Sequence, residues 1–163
     1  INGTGNELAN TLTGGVGINI LAGGAGDDIY YVSTGDIVQE NTNAGIDTVK
    51  SAVSYDLSDN VENLTLFGID SVNGNGNSLA NNITGNVNNN ILNGGENADK
   101  MVGGDGNDTY VIDNAGDVIT EVLGQGVDSA LSSVTYTLGL NVENLTLTGS
   151  DAINGTAIHW PTP

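Results

Sequence analysis

The sequence predicts an all-β solenoid, a stack of short strands and turns with no single central core. Three observations predict it. Four glycine-led nonapeptides run without a gap from Gly76 to Val111: GNSLANNIT, GNVNNNILN, GGENADKMV and GGDGNDTYV. Each carries Asn or Asp at its sixth position (Asn81, Asn90, Asp99, Asp108) and a large apolar residue at its eighth (Ile83, Leu92, Met101, Tyr110). A fixed period of this length marks a unit that buries its apolar residue only by stacking on its neighbours. The pattern also occurs twice along the chain. Finally, no window shows the apolar spacing and caps that a helix needs, so almost no helix is predicted.

The elements follow in order. A first tract spans Gly5 to Tyr31 as GNELANTLT, GGVGINILA and GGAGDDIYY, with sixth positions Asn10, Asn19 and Asp28 and eighth positions Leu12, Leu21 and Tyr30. It aligns with the second tract at an offset of 71 residues (Asn19 on Asn90), and at 80 from Tyr30 on Tyr110. The difference is one whole nonapeptide, a change that a stacking unit tolerates and a packed core does not. A longer segment then begins at Gly35, GDIVQENTNAGIDTVKSAVSYDLSDNVENLTLFGID. It recurs from Gly116 as GDVITEVLGQGVDSALSSVTYTLGLNVENLTLTGSD. Its runs at 48–55 and 61–67, bounded by Gly, Asn and Asp, read as strands. The chain thus divides into a first repeat at 1–72, a second at 73–156 and a tail at 157–163, each repeat about 80 residues long. Ile1-Asn2-Gly3-Thr4 recurs as Ile153-Asn154-Gly155-Thr156, which reads as a segment of a longer array. The tail holds His159, Trp160 and both prolines and fits no repeat; it reads as a cap or a remnant of a neighbouring domain.

Composition limits the partners. Twenty acidic residues against Lys50 and Lys100, with no Arg, give a net charge of −18. No basic surface exists to neutralise phosphates, so nucleic acid is excluded as an expected partner. No apolar run is long enough to span a bilayer, and no membrane insertion is expected. With 25 Gly, two dozen Asn and 4% aromatics, the chain cannot build a wide apolar core. Acids at this density repel one another unless cations neutralise them. No Cys is present, so no disulfide supplies the missing stability. No catalytic motif is found: His159 has no Cys or second His nearby. The pair Asp56 and Asp59 is replaced by Thr137 and Leu140 in the second copy. Tyr30 and Tyr110, at eighth positions, read as core plugs, and Asp47 and Asp128 as turn-capping acids with a ligand role as the alternative.

The nonapeptides resemble the RTX, or haemolysin-type calcium-binding, repeat G-G-x-G-x-D-x-U-x. The resemblance implies a right-handed parallel β-roll in which two nonapeptides make one coil, the first six residues forming a turn and the last three a strand. It implies Ca2+ held between turn n and turn n + 2 on the same side. Calcium takes six to eight oxygen ligands from carboxylates and carbonyls. The implied ligands are Asp28, Asp99, Asp108, Asp117, Asn90, Asn10 and Asn81, with turn residues Gly23, Ala25, Gly94, Glu96, Gly103 and Asp105. The register pairs Asn10 with Asp28, Asn81 with Asp99, Asn90 with Asp108 and Asp99 with Asp117. In the first copy the unit holding Asp36 is one residue short, so Asp36 is expected out of phase and Asn19 without a clear partner. For Asn10, Asn19 and Asn81 a hydrogen-bonded ladder needing no metal is the preferred reading. Calcium is expected to concentrate at the C-terminal end of each tract, and more so in the second copy.

The function expected is a non-catalytic, calcium-binding structural segment of an extracellular or cell-surface bacterial protein of adhesin, surface-layer or filament type, folding on calcium after type I export. Expected partners are calcium and neighbouring repeats or further copies stacked end to end. The alternatives are a folding and secretion module of a secreted enzyme, or a carbohydrate-binding module.

Overall fold

A computed structural model describes residues 2–157. The tail expected at 157–163 therefore lies outside the described residues, apart from Ala157. Among the described residues there is no helix, and eighteen short strands stack as a parallel β-solenoid of about nine coils, two strands per coil. The first copy contributes β1 (Gly3–Thr4), β2 (Thr11–Thr13), β3 (Ile20–Ala22), β4 (Ile29–Val32), β5 (Ile37–Val38), β6 (Thr48–Ser51), β7 (Tyr55–Asp56) and β8 (Asn63–Leu66). The second contributes β9 (Gly74–Asn75), β10 (Asn82–Thr84), β11 (Ile91–Asn93), β12 (Lys100–Val102) and β13 (Thr109–Ile112). It continues with β14 (Val118–Thr120), β15 (Ser129–Ser132), β16 (Tyr136–Thr137), β17 (Asn144–Leu147) and β18 (Gly155–Thr156).

Successive strands alternate between two faces. Even strands β2 to β14 form one seven-stranded sheet, and odd strands β7 to β17 form a six-stranded sheet opposite. Pairing runs across the boundary between the sequence repeats, with Leu64 opposite Ile83, so the two copies share one continuous stack. Within the tracts partners are eighteen residues apart, as in Ile83↔Met101 and Leu92↔Tyr110. Two nonapeptides therefore make one coil. β12 is the strand of the extra nonapeptide. Half a coil added there turns everything after it to the other side: β4 lies in the even sheet, while its sequence counterpart β13 lies in the odd one.

The eighth positions supply the core. Leu12, Tyr30, Val49, Leu64, Ile83, Met101 and Ile119 lie in register down the even sheet, and all are buried. The odd sheet stacks Tyr55, Gly74, Leu92, Tyr110, Ala130 and Leu145. Gly74 belongs in this stripe because a Cβ there would stand 2.8 Å from Leu64 Cδ2 across the narrow core. Each buried Leu or Ile contributes roughly 1.5–3 kcal/mol. Two facing files of such residues, with a few flanking Val, Leu and Ile, make a narrow core, so the turns at the two edges must also be stabilised.

Each copy carries one interruption of its sheet. β5 does not pair with β7, and β14 does not pair with β16. The first interruption opens a cleft of about 820 Å3 lined by Val38, Glu40, Leu57 and Asn60 among others. A tyrosine bridges each break: the Tyr55 hydroxyl donates to the Asp36 carbonyl at 3.5 Å and that of Tyr136 to the Asp117 carbonyl at 3.1 Å.

Candidate metal centre

The sixth-position residues line the two edges of the solenoid. Their connection is the same at nearly every coil: a backbone N–H donates to the carboxylate Oδ1 of the sixth-position residue one coil later. Asn10 donates to Asp28 at 2.6 Å, Asn81 to Asp99 at 2.7 Å and Asn90 to Asp108 at 2.7 Å. Asp99 donates to Asp117 at 3.0 Å. The coil-to-coil pairs expected from the register are thus brought together.

Asp36 departs from expectation. It is buried in phase, and its Oδ1 accepts the Asn19 N–H at 2.8 Å. Asn19 therefore has a partner. The shorter connection is absorbed by a tight turn in which Ser33 N–H and Oγ both donate to Asp36 Oδ2, at 2.8 and 2.9 Å. Asp47 and Asp128 are more than caps of their own turns. They continue the ladder, accepting the N–H of Asp28 and of Asp108, each at 2.8 Å. Glu62 and Glu143 extend it once more, accepting from Asp47 at 2.8 Å and from Asp128 at 2.7 Å.

Two kinds of nonapeptide turn result. In the Gly-Asn turns the sixth-position amide closes on the protein. Asn10, Asn81 and Asn90 Oδ1 each accept the N–H of the second residue, Asn6, Asn77 and Asn86, at 2.8 Å. Asn81 and Asn90 Nδ2 donate to the preceding coil, to the Val61 carbonyl at 3.0 Å and the Val72 carbonyl at 2.6 Å. In the Gly-Gly turns that end the tracts, the second and fourth residues are left-handed: Gly24 and Gly26, Gly95 and Asn97, Gly104 and Gly106. The first residue there is glycine because a Cβ on Gly23 or Gly103 would strike the carboxylate of Asp28 or Asp108 and the hydroxyl of Tyr30 or Tyr110. Gly94 meets Asp99 in the same way. Ala25, Glu96 and Asp105, at the third positions, lie exposed on the outer rim.

The carboxylates of these Gly-Gly turns are buried and half-used. Asp28, Asp99 and Asp108 are each 1% exposed, yet Oδ2 of all three finds no hydrogen-bond partner. The same holds for Asp47 Oδ2 and Glu121 Oε2. Asp117, by contrast, uses Oδ2 on the N–H groups of Asp113 and Asn114 at 3.3 and 3.2 Å. Burial pushes Asp108 up to about 7 and Asp99 and Asp47 up to about 6, with neighbouring carboxylates adding to the effect. Burial also raises Glu40, Glu121 and Asp128. An unpaired buried carboxylate is costly unless a cation or a proton neutralises it. The donor set is all oxygen, with no nitrogen or sulfur, and suits a hard divalent ion. The residues present therefore fit calcium.

Two side chains join this edge chemistry that the nonapeptide period does not reach. Glu40 approaches Asp28 and Asp47, and Glu121 approaches Asp108 and Asp128, so that one carboxylate oxygen from each residue lies within 4.8 Å of the others. Each Glu accepts a hydrogen bond from the tyrosine of the preceding tract, Tyr30 or Tyr110. Those tyrosines fill the core as expected, but their hydroxyls face the edge. The available signal was the internal repeat itself, which places Glu at the same point of both long segments, GDIVQE and GDVITE.

The profile of the RTX calcium-binding nonapeptide repeat matches residues 4–36 and 75–110, in four copies. Both tracts are RTX calcium-binding nonapeptide repeats, and calcium is the cation they imply. A stretch of 50 residues, 31% of the chain, is 44% identical to "Endo-1,3-1,4-beta-glycanase ExsH" of Rhizobium meliloti (strain 1021) and covers 11% of that protein. The match thus spans about a tenth of that relative's length. No solved structure matches the chain.

Proposed function

We propose that this chain is a calcium-dependent structural segment of a bacterial protein that works outside the cell, as part of an adhesin, surface layer or filament. The observation that carries the reading is the row of buried carboxylates at Asp28, Asp99 and Asp108, each with one oxygen fixed by a backbone N–H and the other without a protein partner. In this reading Asp28, Asp99, Asp108 and Asp117 supply the charge. Carbonyls of Gly23, Ala25, Gly94, Glu96, Gly103 and Asp105 complete the turns, and Asn10, Asn81 and Asn90 tie the intervening coils. At low calcium, as inside a cell, a chain of charge −18 stays extended and fit for export. Extracellular modules bind calcium at about 10⁻⁴ to 10⁻³ M, and an ion that binds only the folded state stabilises it by mass action. Neighbouring repeats, or other copies stacked end to end, are the partners this reading expects. Isothermal titration calorimetry tests the binding: calcium should bind in the millimolar range or tighter, and Asp99→Asn should lower the stoichiometry. No heat of binding in the wild-type chain would sink the reading.

A second reading has one observation in its favour. The glycanase similarity supports a segment that folds and accompanies a secreted polysaccharide-degrading enzyme. In either case the chain itself is not catalytic. Incubation with a mixed-linkage 1,3-1,4-β-glucan should release no reducing sugar. A saccharide-binding role predicts retention of the chain by the same glucan at fixed calcium.

A further inference from the structure

We propose that Glu40 and Glu121 each complete a three-carboxylate divalent-cation site, Asp28–Glu40–Asp47 on one edge of the solenoid and Asp108–Glu121–Asp128 on the other, in which the sixth-position aspartates Asp28 and Asp108 are shared with the nonapeptide turns. This rests on the calcium reading above and assigns ligands that the nonapeptide does not contain.

The geometry is specific. The two aspartates of each site come from consecutive coils of one edge, and their Oδ1 atoms are held by backbone N–H groups of Asn10 and Asp28, or of Asn90 and Asp108. One carboxylate oxygen of each aspartate lies within 4.8 Å of one of the glutamate. Asp28 and Asp47 Oδ2 in the first site, and Asp108 Oδ2 and Glu121 Oε2 in the second, are buried with no hydrogen-bond partner. Each Glu is braced from behind by a tyrosine hydroxyl and by the N–H of Gly23 or Gly103, at 3.2 and 3.3 Å. Glu121 is buried, whereas Glu40 is half-buried and its second oxygen accepts the Asn41 N–H at 3.3 Å. Lys50, the lysine of the first copy, has its Nζ over the Tyr31 ring, 5.6 Å from its centroid.

The internal repeat carries the cluster twice. The extra half-coil at β12 sends the second cluster to the opposite edge, yet the same residue types meet in the same arrangement. The cluster is thus carried by the repeated segment itself and survives its transfer to the other edge. Three carboxylates and a flanking hydroxyl, all oxygen, suit calcium over softer metals. The cleft beside β5, which Glu40 lines, gives the first site a path to solvent.

Terbium(III), a luminescent stand-in for calcium excited through tyrosine, reads these sites directly, because Tyr30 and Tyr110 touch their glutamates. Wild-type protein should give sensitised emission that excess calcium displaces. Glu40→Gln and Glu121→Gln should each lower it by about half, and the double variant should abolish most of it, since sites on opposite edges act independently. Asp56→Asn, an exposed acid outside both clusters, should change nothing. Unchanged emission and unchanged calcium stoichiometry in the double variant would overturn the proposal. No binding by the wild-type chain would instead overturn the calcium reading itself. If a variant loses β structure, its calcium midpoint of folding by circular dichroism decides. A shift to higher calcium supports a ligand role, and equal loss at every calcium concentration overturns it.

Discussion

At the scale of single residues, the difference between Asn and Asp at the sixth position decides where charge is stored. Asn81 and Asn90 spend both amide atoms on the protein, whereas Asp99 and Asp108 keep Oδ2 buried and unpartnered. Asp99→Asn is therefore expected to act in opposite directions with and without metal. In chelator at pH 7.5 it removes an uncompensated buried charge and should stabilise the fold by ~1–3 kcal/mol, raising the thermal midpoint. In saturating calcium it removes the ligand proposed above and should lower that midpoint. Destabilisation under both conditions would mean that Asp99 acts only as a packing residue. The pH dependence has a definite sign. Asp108 is raised to about 7 and Asp99 and Asp47 to about 6, from an ordinary value of 3.8. Between about 4 and 7 the folded, metal-free chain binds more protons than the unfolded one, so its stability falls as pH rises through that window. Chelated protein should show more β structure at pH 5 than at pH 8, and calcium should reverse that order. The nonapeptide period made Asp28, Asp99 and Asp108 legible. It did not reach Glu40 and Glu121, because they lie in the longer segment, and only the stacking of coils brings them back to the tract.

At the scale of elements, strand register was readable wherever the period held. The pairing of Ile83 with Met101 follows from counting eighteen residues. Counting failed at Asp36, where the connection after β4 is one residue shorter and Ser33 folds it back into phase. Chain length alone cannot report such a turn, since the side chain does the correcting. The same counting treated Asp47 and Asp128 as local caps, because they lie nineteen and twenty residues past Asp28 and Asp108 rather than eighteen. The core stripe makes a separate prediction. Met101 is fully buried between Ile83 and Ile119, so Met101→Ala should cost roughly 2–5 kcal/mol in calcium, read by denaturant unfolding. A cost near zero would show that the stripe is not the core.

At the scale of the whole molecule, the solenoid is a one-dimensional stack whose edges carry the buried carboxylates. Residues 94–102 form one half-coil, and their deletion should leave a folded, calcium-responsive protein, because each unit contacts only its neighbours. Removing the half-coil also brings Asp108, Glu121 and Asp128 to the edge that holds Asp28, Glu40 and Asp47. Small-angle scattering in calcium should show a slightly shorter particle of unchanged cross-section; an expanded chain would contradict the stack. If the proposed function holds, the fold depends on calcium because several buried edge carboxylate oxygens have no hydrogen-bond partner on the protein. Far-ultraviolet circular dichroism during a calcium titration at pH 7.5, reversed with chelator, tests it most directly. The predicted result is a cooperative gain of β signal with calcium and its loss on chelation. An equally strong β signal at every calcium concentration would contradict it.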